Sequence, residues 1–375
     1  MATKARTIGM LTATEIAGFA SRRRFGKRRV RLGFIGAGWW ATANHMPLLR
    51  TRPDVEFVAV CGLDPKVLAR CQRDFGFQHA TTDYRELLRH DLEAVIIATP
   101  PAAHVTHALA ALRAGCHVMV EKPFTIYARD ARAIVALAKR RRRHVLVPYG
   151  WHYRPVGQQA KALLARNPIG PVEFVVCHMA SPIKNLVTGR SFDYGPSSYV
   201  APAPATYADP RVAGGGYAQA QLSHATGLML WLTGLRAESV FARMSRPGSR
   251  VDLYDALSVR YHGGAIGTVS GSATLPPGTP GTFQLDIRLF GPNGFVHLDI
   301  ARDHLSWHTH AGRHETVPLE PGAAAYQCDG PPHQFIELVQ GFTVQNDSSG
   351  ELALRSVALL DAAYRSSRSG KAERV

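Results

Sequence analysis

Residues 30–41 read Val-Arg-Leu-Gly-Phe-Ile-Gly-Ala-Gly-Trp-Trp-Ala, and this stretch decides the fold. Its first six residues are mostly apolar and predict a buried β-strand. The next six fit the pattern G-x-G-x-x-A, which leads from a strand into a helix. In that pattern Gly36 permits a tight turn, Gly38 lets the main chain approach a pyrophosphate, and Ala41 lets helix and strand pack closely. The stretch therefore predicts a dinucleotide-binding β-α unit.

An acidic residue follows the next apolar run in the chain. Val55–Leu63 predicts a second strand, and Asp64 ends it. A carboxylate at this place accepts hydrogen bonds from the adenosine ribose in dinucleotide-binding folds, and it repels a 2′-phosphate. Asp also suits a turn before Pro65. The order of strand, glycine loop, helix, strand and acid favours dinucleotide binding, with NAD preferred over NADP.

Short apolar runs alternate with helical patterns from residue 30 to about residue 148. A continuous run such as Glu93–Thr99 is typical of a strand that is covered on both faces. Further runs at His117–Val120 and Val145–Pro148 are separated by a helical pattern. This alternation predicts an α/β fold, with a Rossmann doubly wound parallel sheet over residues 30–150.

The pattern changes after Tyr149. Runs of strand character alternate with turn signals between residues 239 and 319, which predicts a large, mostly antiparallel sheet. We therefore expect a C-terminal α+β domain for substrate binding and oligomerisation over residues 151–375. Residues 181–216 are rich in Pro, Ala, Gly and Ser, and the length of this connection suggests a lid or binding loop.

The formal net charge of +16 is concentrated in two segments. Residues 1–31 hold nine basic residues against Glu15, and Lys139–Arg143 forms a basic run at the end of a predicted helix, where the helix dipole favours cations. Local clusters of this kind do not indicate a nucleic-acid partner. Because the sequence lacks the roughly 18 consecutive apolar residues of a membrane span, we also expect no membrane partner.

Residues 1–29 are expected to form a basic extension that stays attached to the protein. Ser21–Phe25 resembles a twin-arginine export signal, but the next apolar run is the strand before the glycine loop. Removing that run would destroy the fold. The five cysteines include no C-x-x-C pair, and an odd number argues against a full disulfide framework. A cytoplasmic location is therefore expected.

Glu121-Lys122-Pro123 lies at the carboxyl end of a predicted Rossmann strand, the edge where open α/β sheets bind ligands. A lysine there with a lowered pKa can carry a hydroxyl proton while a hydride moves. A cis bond before Pro123 would fix the direction of the lysine. By spacing alone, a Lys paired with an acid on a surface turn is an equally good interpretation.

Five segments together resemble the glucose-fructose oxidoreductase / inositol dehydrogenase (Gfo/Idh/MocA) family. They are Gly36–Ala41, Val95–Pro100 followed by His104, Glu121–Pro123, Gly214–His224 and Asp361–Gly370, and the resemblance covers residues 30–370. It implies NAD or NADP as the cofactor and a sugar, polyol or cyclitol as the substrate. It also implies a homodimer or homotetramer built through the open face of the C-terminal sheet.

The resemblance also assigns site residues. It implies Lys122 as the proton-transfer residue and His224 in the active site. The residues expected to bind the cofactor are Gly36, Gly38, Trp39, Ala41, Asp64, Thr99, Pro100, His104 and Glu121.

One position departs from the family pattern. Many dehydrogenases of the family carry an Asp four residues before the active-site His, so that both project from one helix face. Here that position is Ala220, and the neighbouring Gln219 and Gln221 are expected to point elsewhere on an α-helix. The proton relay is therefore incomplete.

Three functions stay open because of this departure. The leading one is hydride transfer between NAD(P) and a carbohydrate-like alcohol or ketone. The second is lyase or glycosidase chemistry through transient oxidation, elimination and re-reduction on the same cofactor. The third is a catalytically silent, dinucleotide-binding regulatory protein.

Some further side chains have two interpretations. The sequence leaves open whether His152 or Arg154 faces the substrate, and whether Trp39, Trp40 and Trp151 line the cofactor cleft or only pack. Four histidines flank a hairpin turn without a recognisable ligand spacing, so no metal site is expected. They are His304, His308, His310 and His314.

Overall fold

The computed structural model describes residues 25–191, 200–276, 278–279, 283–342 and 345–375. Its first sheet contains six strands: β1 (Val30–Ile35), β2 (Val55–Cys61), β3 (His79–Thr81), β4 (Ala94–Ile97), β5 (His117–Val120) and β6 (Val145–Leu146). They are all parallel, in the order β3-β2-β1-β4-β5-β6. The doubly wound Rossmann sheet is thus confirmed. The sequence did not indicate β3, because two of the three residues of this short edge strand are exposed.

Helices cover both faces of this sheet. A π-helical segment over Ala41–His45 leads into α1 (Met46–Arg50), and it is followed by α2 (Pro65–Phe75), α3 (Tyr84–Leu87), α4 (Pro101–Arg113) and α5 (Ala128–Arg141). Proline at the first position favours the start of α2 and α4, since its missing N–H has no partner there in any case. Basic side chains fill the last turn of α5, as predicted for the run that begins at Lys139.

The second sheet contains nine strands: β7 (Phe174–Ala180), β8 (Ala237–Ser245), β9 (Tyr254–Tyr261), β10 (Ile266–Ser272), β11 (Gln284–Gly291), β12 (Gly294–Asp299), β13 (His304–Thr309), β14 (His314–Thr316) and β15 (Glu373–Arg374). Their order is β14-β13-β12-β11-β7-β10-β9-β8-β15, antiparallel except between β7 and β10. Alternate residues of β9 are buried. One face of the sheet is therefore covered and the other is open, which confirms the predicted mostly antiparallel sheet.

The helices of the second half are α6 (Pro155–Ala165), α7 (Lys184–Val187), α8 (Pro204–Ala208), α9 (Pro210–Ala213), α10 (Ser223–Thr233), α11 (Gly330–Val339) and α12 (Gly350–Ser369). A second π-helical segment, Ala218–Leu222, leads into α10. The connection that the sequence suggested as a lid contains α7, α8 and α9, and its residues 192–199 lie outside the described part of the chain.

The C-terminal part of the chain packs against both sheets. Phe335 and Ile336 of α11 belong to the apolar cluster that contains Val30 and Leu32 of β1. Asp361 of α12 accepts a hydrogen bond from the main-chain N–H of Ala128, at 3.0 Å. The two sheets are separated near residue 150, and α11 and α12 from the second half of the chain also contact the Rossmann domain.

The described end of the N-terminal extension contacts the first domain. The N–H of Gly26 donates to the Asp54 carboxylate at 2.9 Å, and Arg28 forms an ion pair with Glu93. Residues 1–24, including most of the arginine-rich segment, lie outside the described residues. Within the described ranges, no helix is both long and apolar enough to cross a membrane.

Candidate active site

A cavity of about 770 Å³ lies where the carboxyl ends of the Rossmann strands face α10. Two walls form it, and each comes from a different sheet domain. The dinucleotide wall consists of the loops that follow β1, β2 and β4, and the substrate wall consists of the lid connection, the start of α10 and residues near Tyr326. The predicted site residues that line the cavity are Gly36, Gly38, Trp39, Asp64, Thr99, Pro100, Glu121, Lys122 and His224.

Gly36 and Gly38 of the glycine loop suit their positions for two different reasons. Gly36 has a φ of 109°, and a Cβ added there would lie 2.5 Å from the Ala98 carbonyl oxygen, so the protein's own packing requires glycine. At Gly38 an added Cβ would meet no atom within 4 Å, because it would enter the cavity. Ala41 is fully buried in the core beneath the loop. The open space beside Gly38 fits the close approach of a pyrophosphate.

Asp64 caps a helix and faces the cavity. Its carboxylate accepts the Lys66 N–H at 2.8 Å as the N-cap of α2, so the turn interpretation of this residue applies. The residue is nevertheless exposed and lines the cavity. Beside it, Leu63 exposes 94% of its surface at the same wall. The cap therefore fixes a carboxylate next to an exposed apolar side chain at the end of β2.

Thr99 and Pro100 line the cavity, whereas His104 lies behind them and is fully buried. The ring nitrogens of His104 lie 2.7 Å from the Thr99 carbonyl oxygen and 3.0 Å from the Pro123 carbonyl oxygen. Burial lowers the pKa of His104, although these contacts partly offset the effect. His104 thus connects the loops after β4 and β5. His107, which the sequence did not indicate, lines the cavity and lies within hydrogen-bonding distance of the Thr99 hydroxyl.

Glu121 is buried and held by its neighbours. Its carboxylate lies 2.6 Å from Nε2 of His45 and accepts the Lys122 N–H at 3.0 Å. Burial raises the pKa of Glu121, but the hydrogen bond from His45 and the nearby charges outweigh burial and hold the pKa below its usual value. No sequence pattern linked His45 to Glu121, because His45 lies in the π-helical segment after β1, far from Glu121 in the chain. The Lys122–Pro123 peptide bond is cis.

Lys122 joins the two walls of the cavity. Its ammonium donates a hydrogen bond to the Ala220 carbonyl oxygen, at 3.2 Å. Burial lowers the pKa of Lys122, and the Glu121 carboxylate raises it only in part. Ala220, which replaces the Asp expected from the family pattern, therefore still contacts Lys122, but through its main-chain carbonyl. An amine with a lowered pKa that is held at this point can exchange a proton with a hydroxyl group.

The substrate wall is built differently from the prediction. Gln219, Ala220 and Gln221 all line the cavity, so the expectation that the two glutamines point elsewhere is wrong. The prediction assumed α-helical spacing, whereas hydrogen bonds in the π-helical segment run from residue i to i+5. Gln219 donates to the Ile126 carbonyl oxygen at 3.4 Å, while its own Oε1 is buried without a hydrogen-bond partner.

His224 lies among aromatic rings at the cavity. It is 4% exposed, and its ring lies 5.7 Å from that of Trp151 and 5.3 Å from that of Tyr326. Burial, reinforced by the positive charge of Lys122, holds the pKa of His224 well below its usual value. The imidazole is therefore neutral at physiological pH, and it can donate or accept one hydrogen bond without adding a charge to the cavity.

A buried aspartate fixes the start of the π-helical segment. Asp252 accepts the N–H groups of Gly216 and Ala218 and the Tyr364 hydroxyl, each at 2.8 Å. Two motifs that are far apart in sequence, Gly214–Gly216 and Asp361–Gly370, meet at this carboxylate. Beside it, burial raises the pKa of Asp255 far above its usual value, and the charge of Asp252 raises it further. No local sequence pattern indicated Asp252.

The residues after β6 divide between core and cavity. His152 is buried, with Nδ1 at 2.8 Å from the Asp347 carbonyl oxygen and its ring stacked on Trp231. Arg154 contacts Gln327 and donates to Gly322. Trp151 is the residue of this segment that lines the described part of the cavity, together with Trp39 and Trp40 from the glycine loop.

One group of potential metal ligands lies outside the cavity. Asp286, His297 and Asp299 have ligand atoms within 4.8 Å of one another on the second sheet. Their oxygens already accept hydrogen bonds from His297 and from the guanidinium groups of Arg288 and Arg302. Two of the four histidines of the predicted hairpin stack, since the ring of His308 stacks on those of Phe295 and His314.

Two domain families match this architecture. Residues 30–149 match the oxidoreductase family with an NAD-binding Rossmann fold, and residues 158–297 match the GFO/IDH/MocA C-terminal domain. The chain belongs to the Gfo/Idh/MocA oxidoreductase family, as its motifs predicted. A nicotinamide dinucleotide is accordingly the cofactor of its Rossmann domain.

Curated relatives match over part of the chain. The uncharacterized oxidoreductase YdgJ of Escherichia coli is 30% identical over 150 residues, which are 40% of this chain and 42% of that protein. The D-xylose 1-dehydrogenase [NADP(+)] of Haloarcula marismortui is 30% identical over 165 residues, 42% of this chain and 45% of that protein. The chain thus spans less than half the length of these relatives.

Solved structures match over nearly the whole chain. An oxidoreductase domain protein from Kribbella flavida has a TM-score of 0.76 at 22% identity, covering 93% of this chain and 99% of that chain. A levoglucosan dehydrogenase in complex with NADH and L-sorbose has a TM-score of 0.75 at 20% identity, with coverage of 93% and 99%. At these identities the similarity shows the fold.

Proposed function

We propose that this protein transfers a hydride between a nicotinamide dinucleotide and a carbohydrate-like alcohol or ketone. The observation that carries the proposal is the position of Lys122 between the two walls, bonded to the Ala220 carbonyl and near the neutral His224. The relatives named as a D-xylose dehydrogenase and a levoglucosan dehydrogenase support a carbohydrate-like substrate.

The residues of the two walls have different roles in this reaction. The loop at Gly38 leaves space for the pyrophosphate, and Asp64 is placed to accept bonds from the adenosine ribose. When bound, the nicotinamide supplies or accepts the hydride. Lys122 takes the hydroxyl proton during alcohol oxidation and returns it during ketone reduction. His224 orients the reacting hydroxyl by a hydrogen bond, and the Ala220 carbonyl holds the lysine in place.

A screen of sugars, polyols and cyclitols with NAD and with NADP tests this proposal. The absorbance of the reduced cofactor should rise with at least one alcohol. Product formation without net reduction of the cofactor would instead favour oxidation, elimination and re-reduction, which the missing carboxylate at Ala220 keeps as the second candidate. Cofactor binding without any turnover would favour a regulatory protein and contradict the proposal.

The open face of the nine-stranded sheet supports the further proposal of a homodimer or homotetramer. It exposes four large apolar side chains, which a partner copy would cover. They are Phe174, Phe241, Tyr254 and Ile266. Sedimentation analysis of the wild type and of an Ile266→Glu variant would test this interface. The five cysteines are free and buried, which supports the proposal that the protein works in the reducing cytoplasm.

A further inference from the structure

The substrate wall carries an aromatic cluster next to His224. The ring of Trp151 lies 5.5 Å from that of Phe283 and 4.9 Å from that of Tyr326, and Phe283 and Tyr326 lie 5.9 Å apart. All three residues line the cavity. Such rings offer flat apolar surfaces on which a ligand ring can stack.

The lid connection adds aliphatic side chains to the same space. Ile183, which immediately precedes α7, and Leu186 within α7 line the cavity. Val200 and Pro202 line it from the later part of the connection. Ile183 is 1% exposed because it also packs in the core of the second domain. The described lid residues therefore add apolar side chains to the cavity.

The polar groups of the substrate wall are uncharged. Gln219, Gln221, Tyr207 and Tyr326 line it, and His224 is neutral. Within the described residues, the second domain contributes neither an acidic nor a basic side chain to the cavity. Neutral donors and acceptors of this kind match hydroxyl groups, and they stabilise a charge that is taken out of water less than a group of opposite charge does.

Apart from Asp64 on the dinucleotide wall, the charged side chains among the described cavity-lining residues lie at the junction of the two walls. Lys122 is the cation there, and the buried Glu121 carboxylate contacts its main-chain N–H. An anionic group elsewhere on the substrate would lose its hydration without gaining a positively charged partner. Such a loss is strongly unfavourable in an enclosed site.

We propose that the cavity accepts an uncharged carbohydrate-like alcohol that bears an apolar substituent, and that it discriminates against sugar phosphates, sugar acids and sugar nucleotides. The reacting hydroxyl lies at Lys122 and His224, further hydroxyls contact Gln219 and Gln221, and the substituent packs on Phe283 and Leu186. This inference rests on the proposed function for the reacting group, but its binding test does not require turnover.

Calorimetric titration of the full-length protein saturated with NADH tests this inference. The probes are methyl and phenyl glycosides of glucose, galactose, mannose and xylose, with glucose 6-phosphate, glucuronate and a UDP-sugar as anionic probes. We expect at least one phenyl glycoside to bind about tenfold or more tightly than its methyl partner, because it buries an additional ring. The anionic probes should show no binding.

Variants identify the residues that cause the preference for phenyl over methyl glycosides. Phe283→Ala should remove most of the advantage of the phenyl glycoside and leave methyl glycoside binding nearly unchanged. Leu186→Ala provides the same test on a half-buried lid residue if the first variant does not fold. Phe25→Ala is the matched control, since Phe25 is 37% exposed, does not line the cavity and lies outside the proposed oligomer face, so this variant should leave the advantage intact.

The outcomes separate this inference from the proposed function. Equal binding of the phenyl and methyl partners, tighter binding of an anionic probe, or no binding of any glycoside to the NADH complex overturns the inference. A phenyl preference in binding without hydride transfer supports the inference and contradicts the proposed function. Hydride transfer to a charged sugar alone supports the function and overturns the inference.

Discussion

The two walls of the cavity differ in how the chain builds them. On the dinucleotide wall, the loop at Gly36 and the turn at Asp64 each follow directly from a strand of one parallel sheet. On the substrate wall, the neighbours of His224 come from segments as far apart in sequence as Trp151 and Tyr326. Short-range sequence patterns therefore define the first wall, whereas tertiary packing defines the second. The following variants test whether the two walls also act separately.

Loss of Lys122 should have the largest effect. General acid–base groups contribute on the order of a hundredfold to ten-thousandfold to turnover, so Lys122→Ala should lower kcat by about that factor. Dinucleotide affinity should stay nearly unchanged, because the ammonium contacts the Ala220 carbonyl of the other wall. Steady-state kinetics and fluorescence titration with NAD measure the two quantities. Lys161→Ala is the matched control, since Lys161 also donates to a main-chain carbonyl but lies on α6.

The pH dependence of turnover should reflect the ionisation of Lys122. Alcohol oxidation needs the neutral amine, so its rate should rise with pH until Lys122 is deprotonated. Because burial lowers the pKa of Lys122, this plateau should begin below the ordinary lysine pKa of 10.5. The rate of ketone reduction should instead fall as the pH rises, because Lys122 must be protonated to return the proton. A pH profile that is unchanged in Lys122→Ala at its residual rate would exclude the lysine as the titrating group.

A side chain at Gly38 should break the dinucleotide wall alone. Gly38→Val places its side chain in open space, so the fold should persist while the pyrophosphate is displaced. We expect NAD affinity to fall by about a hundredfold or more, and Gly38→Ala should give an intermediate loss. Thermal unfolding checks that both variants remain folded. Unchanged affinity in folded Gly38→Val would contradict the assignment of this loop.

Asp252 provides the corresponding test of the substrate wall. Asp252→Asn weakens the bonds to Gly216 and Ala218, and hydrogen bonds to charged groups contribute about 1.5–3 kcal/mol each. We expect kcat/KM for the alcohol to fall by about tenfold, with NAD affinity unchanged. Tyr364→Phe should have a smaller effect of the same kind. Asp299→Asn, which weakens the ion pair with Arg302 outside the cavity, should alter stability but not kcat/KM.

The smallest effect is expected for cofactor selection. Asp64 is exposed, so solvent screens its repulsion of a 2′-phosphate, and Lys66 lies nearby. The wild type should bind NAD more tightly than NADP, and Asp64→Ala should shift this ratio toward NADP by about threefold to tenfold. Parallel titrations with both cofactors measure the ratio. Tighter NADP binding by the wild type would show that the carboxylate does not face the ribose.

The sequence predicted the parts of the site that depend on local patterns. The Rossmann sheet followed from alternating runs, and the positions of Gly36, Asp64 and Lys122 followed from the ends of strands. The sequence could not predict the π-helical segment, whose Gln219, Ala220 and Gln221 all line the cavity. It also gave no signal for His45, Asp252 or Tyr326, because their partners are distant in the chain.

An alcohol on the substrate wall is expected to pass a hydride to a dinucleotide on the other wall. A single-turnover experiment tests it most directly, by mixing an excess of the enzyme–NAD complex with the tightest-binding glycoside and following reduced nicotinamide absorbance. We predict that the absorbance appears in the wild type and in Lys161→Ala, even if only transiently, and that it appears on the order of a hundredfold or more slowly in Lys122→Ala. A complex that binds both ligands and never forms reduced nicotinamide would contradict the account.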